Sequence, residues 1–184
     1  MTQTYALLLR GINVSGRRKV PMAELRSVLE GLGHQNVRTY LQSGNAVFTT
    51  DSTASGDALA TAVEEAIEGH FGFRVDCLVR DADYLAAVRE ACPFPAAELE
   101  GRELHALYCS GPAEAERFAA IDREAYAPEA FALGDRVVYL YVPGGLGTSR
   151  LAEVLMRPSV VKGMVVTARN WNTVAKLVEM TRED

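Results

Sequence analysis

Apolar residues along this chain recur with two periods, and the switches between them mark out its elements. Residues 5–9 are an unbroken apolar run, short enough for a strand buried on both faces. After Pro21, Met22, Leu25, Val28, Leu29 and Leu32 recur at the spacing of one helix face, and Gly33 stands where a helix stops. Residues 37–42 and 46–50 read as strands joined by the turn residues Ser43-Gly44-Asn45. Residues 51–57 form a polar loop. Leu59, Val63, Ala66, Ile67 and Phe71 make the next helical stripe, Gly72 punctuates it, and 75–80 is a fourth strand.

The order repeats after a break. Residues 81–103 hold a helix over 82–91 and then a loop with two prolines and a glycine, the best domain boundary in the chain. Strands are predicted at 104–109, 130–133, 136–142 and 162–167. Helices are predicted at 113–121, from Thr148 to the residue before Pro158, and at 170–180. The pattern is α+β: two tandem ferredoxin-like β-α-β-β-α-β modules, 1–80 and 104–184, joined by 81–103, with an extra C-terminal helix. The halves share order, not residues.

Topology turns these elements into places. In such a module the loop after strand one and the hairpin between strands two and three leave the sheet at one edge. Residues 10–19 and 42–45 are therefore predicted neighbours. In the second module, PGGLGTSR after strand three shares an edge with TARNWN at the end of strand four.

Charge sharpens interest in the first of these edges. The chain carries 19 Lys and Arg against 24 Asp and Glu, a net charge of −5, which weighs against a general nucleic-acid binder. Yet 10–19 holds Arg10, Arg17, Arg18 and Lys19 with no acid, and 150–176 holds five cations against Glu153 alone. A Gly-rich cationic loop running from a strand into a helix N-terminus is a physically sensible cradle for an anion. Here Arg10, Asn13, Arg17 and Lys19 would neutralise the ligand, with Ser43 and Asn45 orienting it. Arg169, Asn170, Trp171 and Asn172 would add a second contact, Trp171 as a stacking platform. Each motif also has a plainer explanation. Arg10 and Asn13 would then brace the loop while Arg17–Lys19 form a solvated face. Ser43-Gly44-Asn45 would be only a turn, and Asn170 or Asn172 only a helix cap.

Other chemistry finds little support. GINVSGRR resembles the phosphate loop GxxxxGK[ST] but lacks its lysine and the hydroxyl that ligates magnesium. Cys77, Cys92 and Cys109 are widely spaced, and His34, His70 and His105 sit apart, so no metal, cofactor or triad setting is expected. There is no GxSxG or HExxH. No apolar run approaches a membrane span, and no secretory leader is recognised, so a cytoplasmic bacterial protein is expected.

Three strings, LLRGINVSGRRKVPMAEL, NVRTYLQSGNAVF and TARNWNTVAKL, fall in an order that resembles the bacterial domain-of-unknown-function family 1697 across essentially the whole chain. The resemblance implies a compact cytosolic α/β protein with no established activity. Many of the family's sequences read Gly at Ser15 and Lys-Asn-Lys at Arg17-Arg18-Lys19, so the charge at position 17 is kept while its amine is not. The reading that follows is binding of a small anionic or phosphorylated ligand. The alternatives are an RNA- or ribosome-associated module and a protein-interaction domain without catalysis. Whether an enzyme, and in what oligomeric state, is not legible from the residues.

Overall fold

The computed structural model describes residues 1–182. Two compact units divide the chain: Met1–Leu85 with residues 177–182, and Ala86–Lys176.

In the first unit the strands are β1 (Gln3–Leu9), β2 (Gln35–Tyr40), β3 (Asn45–Thr50) and β4 (Cys77–Asp81), in the order β2-β3-β1-β4 with every neighbouring pair antiparallel. Two helices, α1 (Met22–Gly31) and α2 (Gly56–Phe71), cover one face of this sheet. Period-two alternation puts Tyr5, Leu7 and Leu9 of β1 and Ala46 and Phe48 of β3 on that face. They pack there with Leu25 and Leu29 of α1 and Leu59, Val63 and Ile67 of α2. Ser55 caps α2 by accepting from the Ala58 amide, and Gly72 ends it at φ +83° with its N–H on the Glu68 carbonyl. His34 is buried beside Phe48, ring centroids 4.2 Å apart, and neither ring nitrogen has a hydrogen-bond partner among the described residues.

In the second unit, β5 (Leu104–Cys109), β6 (Ala130–Gly134), β7 (Val137–Tyr141) and β8 (Val166–Asn170) form a sheet of order β6-β7-β5-β8, again antiparallel throughout. Its covered face is built from Leu107, Cys109, Val138, Leu140 and Val166 with Phe118, Leu151 and Leu155. Phe118 comes from α4 (Ala115–Phe118), Leu151 and Leu155 from α5 (Arg150–Leu155). Between β4 and β5 run α3 (Ala82–Glu90) and two 3-10 turns, Ala96–Glu98 and Gly101–Glu103. The final helix, α6, spans Trp171–Arg182. No helix of the described chain is long and apolar enough to cross a membrane.

Two predicted elements are displaced. The helix expected over 113–121 is a single turn, α4, followed by a 3-10 turn at Arg123–Tyr126. Asp122 starts that new turn by accepting from the Glu124 amide, and one helical turn already brings Phe118 and Ile121 to the core. The strand expected over 162–167 lies instead at Val166–Asn170. Residues 157–164 are consumed by turns, with Val160 and Val161 N–H on the Arg157 carbonyl and Gly163 at φ +79°. Pairing of Cys109 with Val166 and of His105 with Asn170 then fixes the register.

A device recurs in both units. The penultimate residue of the last strand is a buried arginine, Arg80 opposite Ala6 and Arg169 opposite Ala106. Each donates Nη1 to the carbonyl of the residue before it, Arg80 to Val79 at 3.0 Å and Arg169 to Ala168 at 2.9 Å. Nearby oxygens offset part of the cost of burying such a group, the Asp57 carboxylate at 3.9 Å for Arg80 and Thr167 Oγ1 at 2.7 Å for Arg169.

Candidate functional site

The loop between β1 and α1 is held at both ends by apolar side chains. Ile12 and Val20 are sunk in the first unit's core, at 2% and 0% exposure, while every residue from Val14 to Lys19 is exposed. The exposed part is forced into left-handed backbone, with positive φ at Gly11, Asn13, Ser15, Gly16 and Arg18. Short turn bonds close it: Asn13 N–H to the Arg18 carbonyl and Arg17 N–H to the Val14 carbonyl. Left-handed residues set among ordinary ones turn successive main-chain N–H groups to one side, a geometry that suits anions.

Asn13 is the keystone. Its Oδ1 accepts from the Val20 amide at 2.9 Å, and its Nδ2 donates to the Val20 carbonyl at 3.1 Å and to the Gln42 carbonyl at 2.7 Å. One side chain thus closes its own loop and ties it to the β2–β3 hairpin. The Leu9 amide adds a second tie, donating to the Gly44 carbonyl at 2.9 Å. The predicted adjacency of 10–19 and 42–45 is what the structure shows. Both Nδ2 hydrogens are spent, so Asn13 positions the loop and has little left for a ligand. In Asn13→Ala the Val20 amide loses its acceptor. We expect its hydrogen exchange to speed by one to two orders of magnitude, for about 1–3 kcal/mol lost locally, while core amides of β1 stay protected. Unchanged Val20 exchange would contradict this account.

Between loop and hairpin lies an open cleft of about 460 Å³, lined by Asn13, Gly16, Lys19, Pro21, Met22 and Gln42. Arg10 does not line it: its amide is on the Asp76 carbonyl and its guanidinium 3.7 Å from the Asp76 carboxylate. Arg17, Arg18 and Lys19 are exposed and form no ion pair among the described residues. Three uncompensated cations, of which Lys19 lines the cleft, are therefore a property of the folded loop, not only of its sequence. Ser43 is exposed, whereas Asn45 is fully buried and donates Nδ2 to the Tyr40 carbonyl and Ser43 Oγ. Asn45 is used by the hairpin.

The C-terminal residues singled out by the sequence lie in the second unit. Arg169 is 7% exposed and donates to Thr167 Oγ1 at 2.7 Å as well as to Ala168; burial lowers it to about 10, so it stays charged at neutral pH. Asn170 Oδ1 accepts from the Thr173 amide and caps α6. Trp171 tilts against Tyr139, centroids 6.3 Å apart. Asn172 lies against Gly101, where a Cβ would come within 2.3 Å of its side chain. TARNWN and the turn after β7 do share a strand edge, since Tyr141 and Asn170 both sit at the N-terminal end of β5. That edge is the opposite end of the strands from the one bearing the cationic loop in the first unit. The second unit's counterpart of that loop, 110–114, is short and without cations.

Sequence reasoning missed Pro21 and Met22, which form the apolar wall of the cleft. They looked like a helix start, and only the docking of the hairpin opposite them makes them a wall. Among the described residues no three His, Cys, Asp or Glu side chains gather to hold a metal ion. Cys77, Cys92 and Cys109 form no disulfide among the described residues, and burial pushes the Cys77 thiol far up.

The chain is similar to a solved structure, the conserved bacterial protein SP0830 from Streptococcus pneumoniae. The two are 26% identical, with a TM-score of 0.77, over 99% of this chain and 100% of that one. No curated protein matches. The loop, the hairpin and both units' first strands fall within residues 1–139, which match the model of a family described as "Protein of unknown function (DUF1697)", and the chain belongs to that family.

Proposed function

We propose that the first unit binds a small phosphorylated or otherwise anionic ligand in the cleft between the 10–21 loop and the β2–β3 hairpin. The observation that carries this reading is the bracing by Asn13, which holds a loop of three exposed, unpaired cations against a preformed concavity that Lys19 lines. Arg17 and Lys19 would meet the anion, Arg10 would stand behind them, Gln42 and Ser43 would offer neutral donors, and Met22 and Pro21 an apolar wall. Each unit is read as a ferredoxin-like module on its strand order, with residues 81–103 as the joint, and the protein as cytoplasmic. The RNA reading draws no support from the sheet, because Phe48 of β3 is fully buried and cannot stack a base.

Thermal unfolding against nucleotides, sugar phosphates and their unphosphorylated parents tests the proposal. A specific ligand at 100 times its Kd adds about 2.7 kcal/mol, roughly 5–10 °C in Tm for a chain of this size. The Arg17→Gln/Lys19→Gln double variant should bind at least about tenfold more weakly and melt as the parent does, because both side chains are exposed and unpaired. A panel without any shift, or an undiminished shift in the double variant, would remove the ligand from this cleft.

A further inference from the structure

The second unit holds a cavity of its own, about 360 Å³, between the α4–Tyr126 segment and the chain that follows α5. It is built around Arg117. That side chain donates Nη1 to two carbonyls, Val160 at 3.2 Å and Lys162 at 2.7 Å, which fixes the guanidinium plane. Its Nε is shut from water with no hydrogen-bond partner, and its Nη2 bonds to none of the described residues. Nη2 is therefore the donor left open to an incoming carboxylate oxygen, in a charge-assisted hydrogen bond.

The rest of the lining fits one chemical class. Arg157 is exposed at the rim and forms no ion pair or side-chain hydrogen bond among the described residues. Ser159 and Tyr126 bring hydroxyl groups, and Ile121, Val154 and Val160 an apolar wall. Asp122 also lines the cavity, accepting from the Glu124 amide. Two guanidinium groups against one carboxylate leave a single net positive charge, which suits a monoanion better than a phosphate dianion.

We infer that this cavity is a second binding site, for a small organic monocarboxylate whose carboxylate lies on Arg117 and Arg157 and whose apolar body meets Ile121, Val154 and Val160. A volume of this size accepts a molecule of several heavy atoms and excludes a dinucleotide. The site is separate from the cationic cleft of the first unit and stands or falls without it.

The test is NMR titration of the whole chain, following the Arg117 Nε–Hε resonance, with butyrate, butyramide and inorganic phosphate as probes. Butyrate should shift that resonance saturably, while butyramide and phosphate leave it in place. Substituting Arg117 itself risks unfolding the loop it ties, so Arg157→Gln is the informative variant: it should weaken butyrate about tenfold or more and melt like the parent. An equal shift with butyramide, a stronger one with phosphate, no saturable shift, or undiminished butyrate affinity in Arg157→Gln would each overturn the assignment.

Discussion

Gly44→Ala should cost the protein about 2–4 kcal/mol, seen as a fall of roughly 5–15 °C in Tm by circular dichroism. Two independent terms add. The residue sits at φ +94°, where a Cβ is strained by about 1–2 kcal/mol. That Cβ would also lie 2.7 Å from Ile12 Cδ1 and 2.9 Å from Leu9 Cβ, both buried and unable to retreat. Gly16→Ala is the matched control. It shares the strained backbone, φ +72°, but has no heavy atom within 4 Å of the added methyl, so only the backbone cost of about 1 kcal/mol applies. Equal losses in the two variants would show that the close approach of hairpin to loop contributes nothing. The larger loss at Gly44 should bring loss of the cleft with it, since the Leu9–Gly44 and Asn13–Gln42 bonds both depend on that turn.

Mild acid should weaken the fold through His105. The ring is 6% exposed in β5, its Nδ1 has no partner among the described residues, and burial lowers it to about 4. A histidine held neutral in the folded state but free to take a proton near 6.5 when unfolded gives the unfolded chain the greater proton uptake between those values. Stability from this group is therefore complete above about pH 6.5, declines as pH falls, and levels off below about pH 4. At about 1.4 kcal/mol per pH unit the total is roughly 3 kcal/mol. His34, also lowered by burial, pulls in the same direction. The decisive quantity is the difference between parent and His105→Leu in urea unfolding at pH 7 and pH 4.5. The variant should lose distinctly less on acidification. Parallel losses in the two proteins would mean that His105 is protonated in the folded state without penalty.

Much of this architecture was legible from periodicity. Of the apolar positions that the sequence predicts to share a face of α1 and α2, Leu25, Leu29, Leu59, Val63 and Ile67 are buried against the sheet and Met22, Val28 and Phe71 partly so, while Leu32 is exposed. Strand order within the first unit, and with it the meeting of residues 10–19 with 42–45, followed from element order alone, because parallel strands joined by a helix force their exits to one edge. The short turn at α4 and the late start of β8 did not follow. There, turn bonds and cross-strand register outweighed local apolar pattern, and placing Arg169 and Asn170 in a strand required knowing what β5 pairs with.

Composition, periodicity and glycine placement determined that this is an α+β protein of two repeated orders, with a cationic loop set beside a hairpin. Tertiary structure alone decided which of the polar residues are spent and which are free. Asn13, Asn45 and Asn170 read as ligand donors in sequence, yet each is bound to main-chain groups. Arg17 and Lys19 have no such partner in the described structure. Arg117 and Arg157 gave no local signal at all, being forty residues apart, and share a cavity only because α4 and the chain after α5 fold together. The reason is physical: pattern reports the local preference of a side chain for water or for a core, whereas a binding group is defined by hydrogen bonds left unmade, and those are counted only after the chain has closed.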